Sequence, residues 1–402
     1  MKKERIKEIL LNVLYSFVSF AIPTAVLQFV IQPMLAKELG AEINGQYLTI
    51  MSAHYFFIGI TATVLNHIRL LQQKEYEDSK LCGDFNVILL FYASLSLLFV
   101  PGVWFLCSKS LNLTDILLMV VVSWLYLYHD YIFAEYRLNL QYNKILINNI
   151  LMSVGYVAGY VIFLCSYRWQ WIFISAYIIP AVYDWFNTSF IREPLRITRL
   201  FPKTVQKVSV LTCSTALGSI TSYCDKFILY PILGGTAVSI YYSASIVGKM
   251  LLLISSPLNS VLLSYLIKEK SLDRQKFWKR VPILVLLVAA LYVGCILVGY
   301  PLTKHLYPIW AENAMRYIPL TVAASVFNLI ASLVNTVLIR FYNLTYQVII
   351  QIVSLIVYII FTLSGLLLWG LPGFCIATAA SALIKVLILI GVLILNHNKQ
   401  NT

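Results

Sequence analysis

Apolar runs of about 20 residues, each long enough to cross a bilayer, recur from one end of this chain to the other. In hydrocarbon every backbone N–H and C=O must be satisfied internally, which leaves only helices and closed barrels. A barrel would alternate apolar and polar residues in segments of about ten, and the runs here are continuous. With 60% hydrophobic and 12% charged residues, the chain is also far from the composition of a soluble domain. The expected fold is all-α, a polytopic membrane protein.

Twelve spans are expected, at 9–32, 43–67, 84–107, 113–136, 144–166, 171–190, 207–230, 236–266, 281–302, 314–339, 345–369 and 373–395. The opening MKKERIK gives the chain the basic head of a secretion signal. The apolar stretch behind it runs from about residue 9 to 31, longer than the usual core of about 7–15. It is therefore expected to stay as the first helix. Most of the 30 lysines and arginines fall on one side of this layout, in the N-terminus and the loops near 68–83, 136–144, 190–207 and 267–280. Only Lys37, Lys109, Arg168, Lys226, Lys304 and Arg316 fall on the other, so both termini are expected in the cytoplasm. The net charge of +13 then reads as a topology signal and an attraction to anionic membrane lipids, with no nucleic acid as partner. The loops are too short to hold a soluble catalytic domain. The seven cysteines stand singly, without CxxC pairs or Cys/His clusters, so no metal, cofactor or disulfide framework is expected.

Two segments repeat. IQPMLAKELGAEINGQYLT (31–49) and LYPILGGTAVSIYYSA (229–244) each end one span with Pro and apolar residues, turn through glycine, and open the next span with Tyr47 or Tyr241. Counted from the prolines, the second turn is four residues shorter. The repeat divides the chain into two six-helix lobes, 1–195 and 196–402. Six spans per lobe give both the same orientation. The expected relation is a pseudo-two-fold axis along the membrane normal, with a substrate path between the halves.

Polar residues inside the spans mark the candidate site. Ser209, Thr212, Ser219, Tyr223 and Lys226 share one face of span 7. Asn12, Ser16, Ser19 and Pro23 form a stripe on span 1, and Ser325, Asn328, Ser332 and Asn335 another on span 10. Such stripes either knit helices together or line a wet cavity. Lys249 and Lys385 lie about twelve residues into their spans, where a charge costs about 2.5–3.5 kcal/mol even on the lenient insertion scale. A buried pairing with Asp225 or Asp184 is the plainer alternative to a cationic cavity that receives an anion. The candidate substrate-binding residues are thus Lys249, Lys385, Lys226, Asn12, Asn328 and Asn335. For ion coupling they are His54, as a residue type whose free side chain titrates near neutral pH, Asp184 and Asp225. Adjacent helical residues point in different directions, so Asp225 and Lys226 are not expected to pair with each other.

The segment NVLYSFVSFAIPTAVLQFVIQPMLAKELGAEINGQYLTI resembles the opening of Wzx-type oligosaccharide and polysaccharide flippases, through Asn12, Pro23, Pro33, Leu35, Leu39, Gly40, Gly45 and Tyr47. DKFILYPILGGTAVSIYYSASIVGKM resembles the same family at the start of its second half. The stretch LNHIRLLQQKEY after span 2 departs from the family's glycine-containing pattern. The family is part of the multidrug, oligosaccharidyl-lipid and polysaccharide exporter superfamily. The resemblance implies a bacterial inner-membrane protein of two lobes working by alternating access. Its cargo would be an undecaprenyl-diphosphate-linked oligosaccharide carried from the cytoplasmic to the outer leaflet, and a polysaccharide polymerase is a further partner. Two rival readings remain. A drug or cation antiporter of the same superfamily would want an acidic cavity, against the mid-span lysines. A membrane glycan polymerase or ligase would be an enzyme, and the short outer loops argue against one.

Overall fold

The structure, a computed structural model, describes residues 15, 17–108, 112–266, 274–341 and 344–400. Among these residues the chain is helical, with no strand. Three glycines with positive φ break long helical stretches: Gly40 (φ 73°), Gly234 (φ 78°) and Gly370 (φ 63°). Only glycine adopts this backbone region without a steric penalty. With those breaks counted, the long helices are α1 (17–39), α2 (41–79), α3 (Asp84–Ser108), α4 (Leu113–Leu138), α5 (Tyr142–Ser166), α6 (Gln170–Asn187), α7 (201–233), α8 (235–266), α9 (Arg274–Leu306), α10 (Ile318–Phe341), α11 (344–369) and α12 (371–400). Eight stretches of the described residues are long and apolar enough to cross a membrane. Three of them, Phe17–Ser79, Ser222–Leu251 and Ile349–Val392, each hold two helices joined at a glycine. This is the expected all-α, multi-pass membrane architecture.

The glycines correct the register of the repeat. Gly40 precedes Tyr47, and Gly234 precedes Tyr241, by the same seven positions. The two turns are therefore equal in length when counted from the residue that breaks the helix. Counting from Pro33 and Pro231 made them unequal because a proline does not itself supply the positive φ.

The chain packs as two compact units, residues 1–39 with 46–219 and residues 40–45 with 220–402. In the first unit, α5 and α6 approach closely through Gly155 and Gly159. A Cβ on either would meet the backbone of Ala176 or Ile172 at 2.5–2.6 Å. Small residues spaced by four let membrane helices bring their backbones together. The core between α2, α3 and α4 holds Ile58, Leu65, Phe85, Leu127 and Phe133, all buried. At the basic end of this unit the segment after α6 is held by side chains of three helices. Arg69 lies between the rings of Phe85 and Phe190 and makes two hydrogen bonds to Glu193, at 2.5 and 3.0 Å. Asp84 accepts from the Tyr76 hydroxyl (2.7 Å) and from the Thr198 amide (2.7 Å) and hydroxyl (2.6 Å). Glu135 accepts the backbone N–H groups of Ser189 and Phe190, each at 2.9 Å.

In the second unit, the turn 40–45 packs against the start of α8. The Glu42 carboxylate accepts the N–H groups of Gly235 (3.0 Å) and Thr236 (2.8 Å), capping the free first turn of that helix. Asn44 donates to the Ser239 hydroxyl at 2.9 Å, and Ser239 donates to the Ala41 carbonyl at 2.6 Å. The approach leaves no room for a side chain. A Cβ at Gly45 would lie 1.8 Å from the Gly235 carbonyl oxygen, and one at Gly235 would lie 2.1 Å from that of Glu42. Gly45→Ala is therefore expected to lower the thermal midpoint of the detergent-purified protein, at an overpacking cost of about 1–3 kcal/mol. Gly102→Ala, whose Cβ meets nothing within 4 Å, serves as the control and is expected to leave it in place.

Candidate functional site

The charged residues of α7 and α8 come together in the second unit. Asp225 precedes the Gly234 break by nine residues, about 14 Å along the helix. Its Oδ1 accepts the Lys226 backbone N–H at 2.9 Å and lies 3.2 Å from the Lys226 Nζ. Its Oδ2 lies 3.5 Å from the Lys249 Nζ. The expectation that Asp225 and Lys226 do not pair is thus overturned. Their Cβ atoms do diverge, but the backbone bond turns the carboxylate toward Lys226, and the long lysine stem curls back to it. Lys249 reaches the same carboxylate because helical side chains lean toward the helix N-terminus. In α8 that direction runs back toward the turn.

The three side chains differ in exposure. Asp225 and Lys226 are 5% and 6% exposed, and Lys249 is 32% exposed. The Lys249 ammonium sits 5.2 Å from the Tyr242 ring centre and 6.0 Å from that of Tyr241. One carboxylate facing two ammonium groups leaves an excess positive charge, and the open one of the two is Lys249. An aromatic face beside it adds attraction while leaving the ammonium a free direction for an anion.

The other candidates are distributed elsewhere. Lys385 is half-buried on α12 and makes no ion pair among the described residues. Asn328 donates its amide back to the Ala324 carbonyl of its own helix at 3.0 Å, and Asn335 is half-buried on the same helix. Two other members of that stripe join helices: Ser332 accepts from Asn259 of α8 at 2.6 Å, and a Cβ at Gly248 of α8 would overlap the Ser325 hydroxyl. Asn12 lies outside the described residues.

The two remaining ion-coupling candidates belong to the first unit. His54 is buried, with Nδ1 3.2 Å from the Ser123 hydroxyl and its ring edge-on to Tyr55 and Tyr126. It is the last residue before a π-helical turn, Tyr55–Gly59, a distortion frequent at functional sites. Asp184 is buried, and its Oδ1 accepts from the Tyr136 hydroxyl (2.7 Å) and the Asn148 amide (2.6 Å). The structure does not bring His54 and Asp184 into contact with each other. The sequence reading missed the roles of Tyr136 and Asn148 at Asp184, and of Tyr242 at Lys249. Among 27 tyrosines nothing in the sequence singles them out. His/Cys/Asp/Glu groups able to hold a metal ion are absent among the described residues.

No family model matches the chain, and no curated protein matches it in sequence. Its fold, however, is that of solved membrane transporters. It is similar to the lipid II flippase MurJ in an inward closed conformation, with a TM-score of 0.73 and 16% identity over 95% of this chain and 87% of that one. It is similar to a MATE protein in the straight conformation, with a TM-score of 0.62 and 11% identity over 98% and 97% of the two chains. A third similar structure is a MOP superfamily transporter from Pyrococcus furiosus, described for the reverse polarity of its binding pocket. There the TM-score is 0.58, with 11% identity over 95% and 94% of the two chains.

Proposed function

We propose that this chain is a flippase for undecaprenyl-diphosphate-linked oligosaccharide, moving it from the cytoplasmic to the outer leaflet by alternating access of two six-helix lobes, 1–195 and 196–402. The observation that carries this reading is the cluster of Asp225, Lys226 and Lys249 inside a transporter fold. A diphosphate is an anion that needs compensation when it leaves bulk water, and a lysine supplies a mobile point charge for it. Lys249 is the contact residue in this reading, with Lys385, Lys226, Asn12, Asn328 and Asn335 lining the same path. His54, Asp184 and Asp225 carry the coupling ion. Both termini face the cytoplasm, in a bacterial inner membrane, and a polysaccharide polymerase receives the product.

The antiporter reading draws on the same fold, since a MATE protein is among the similar structures. The excess positive charge at Asp225 disfavours it, because a cationic cargo would meet two ammonium groups around one carboxylate. The two readings part in a deletion strain. Trapped lipid-linked glycan in the lipid extract, relieved by the intact gene, is the expected result. No accumulation, with unchanged surface polysaccharide and raised sensitivity to cationic drugs, would replace the flippase by the antiporter.

A further inference from the structure

The segment that follows α6 presents exposed apolar and basic side chains together. Leu195 and Ile197 are 65% and 64% exposed, and Arg192, Arg196 and Arg199 are exposed beside them. Leu195 and Ile197 stand two residues apart in a segment that is neither helix nor strand, and both are exposed. A flexible loop would turn such side chains inward, and this one is prevented from doing so. Glu193 and Thr198, on either side of the pair, are tied to Arg69 and Asp84. The backbone between them lies directly over Gly83, where a Cβ would meet the Pro194 and Arg196 carbonyls at 2.4 and 2.9 Å. The two apolar side chains are thus presented outward by a fixed scaffold.

The depth of the patch is marked by Trp185, which is 54% exposed on the last turn of α6. The Arg192 guanidinium lies 5.5 Å over its ring and donates to its carbonyl. Exposed tryptophans at the ends of spans sit at headgroup level. With the sixth span at 171–190, as the sequence places it, Arg192 stands at the height of lipid phosphates, with Leu195 and Ile197 beside it.

We infer that residues 192–199 form a docking site for anionic phospholipid headgroups, with Leu195 and Ile197 dipping into the leaflet and Arg192, Arg196 and Arg199 on the phosphates. Arginine suits this role, since its planar fork meets phosphate oxygens two at a time. Arg196, between the two apolar residues, reaches the same layer by extending its stem along them. The site rests on the first unit alone and is independent of the proposed cargo.

The test is lipid retention. The full-length protein is taken from vesicles of equal phosphatidylglycerol and phosphatidylcholine, and bound lipids are counted by native mass spectrometry. Wild type is expected to retain phosphatidylglycerol in clear preference. The triple variant Arg192→Gln/Arg196→Gln/Arg199→Gln is expected to lose that preference about tenfold or more, with at most a small drop in thermal midpoint, because all three side chains are exposed and the bond lost is that of Arg192 to the Trp185 carbonyl. Lys74→Gln/Lys80→Gln, on the same basic end, is expected to retain it. Equal loss in both variants would reduce the effect to overall charge and overturn the site. So would full retention in the triple variant. If position 196 cross-links in cells to another protein while lipid preference is unchanged, the patch is a protein-docking surface and the inference is wrong.

Discussion

Asp225→Ala is expected to destabilise the second unit by about 3–5 kcal/mol, the usual cost of removing one partner from a buried ion pair. Lys226 is 6% exposed, and Asp225 is the carboxylate 3.2 Å from its ammonium. Without it the lysine is left as a buried, unpaired charge, and Lys249 loses the same partner. Asp225→Asn keeps the shape and one acceptor, so its loss is expected to be smaller. The double variant Asp225→Ala/Lys226→Met is expected to recover most of the stability, because replacing a buried pair by apolar groups is often close to neutral. Thermal unfolding of the purified protein in detergent checks all three. A wild-type midpoint for Asp225→Ala alone would mean that the cluster is hydrated, and the account of its energetics would fail.

Lys249→Ala is expected to behave in the opposite way, folding normally and failing in transport. It leaves Asp225 and Lys226 as a neutral pair, and a 32% exposed side chain contributes little to packing. What it removes is the open member of the cluster. A hydrogen bond to a charged group contributes about 1.5–3 kcal/mol, so the rate of export of surface glycan is expected to fall about 10–100-fold. Lys249→Arg keeps the charge in a larger, planar group and is expected to retain part of the activity. Surface polysaccharide in a complemented deletion strain gives the readout, and the thermal midpoint guards against misfolding. Normal export by a stably inserted Lys249→Ala protein would remove the lysine from the path.

The fold was legible in the sequence for a simple physical reason. Bilayer thickness sets the length of an apolar run, and the lysines and arginines stand between the runs. The repeat was legible too, through Tyr47 and Tyr241, although its register waited for the positive φ of Gly40 and Gly234. The site was legible only in its parts. Lys249 announces itself by cost, since a charge at that depth needs a reason. Its pairing with Asp225 is the plainer alternative the sequence offers, with Asp184 as the other candidate partner, and choosing between the two depends on which way a long stem bends, which no periodicity encodes. The same limit produced the wrong separation of Asp225 from Lys226: the rule for neighbouring helical residues concerns Cβ directions, whereas the ion pair is made at the far end of a flexible chain. On α10, Ser325 and Ser332 meet α8 and join helices. A stripe of small polar residues has the same spacing whether it faces a neighbour or water. The fixed segment 188–200 left no sequence signal beyond its arginines, because its anchors Asp84, Glu135 and Arg69 come from three different helices.

The most direct measurement is translocation in vesicles. Purified protein is reconstituted with an undecaprenyl-diphosphate-linked oligosaccharide distributed over both leaflets, and a glycosidase is added outside. With an active flippase, glycan from the inner leaflet becomes accessible and cleavage runs close to completion, while Lys249→Ala vesicles stop near the fraction first exposed. Cleavage that stops at that fraction with the wild-type protein, in vesicles that accumulate a lipophilic cation under an ion gradient, would contradict the account and assign the fold to an antiporter.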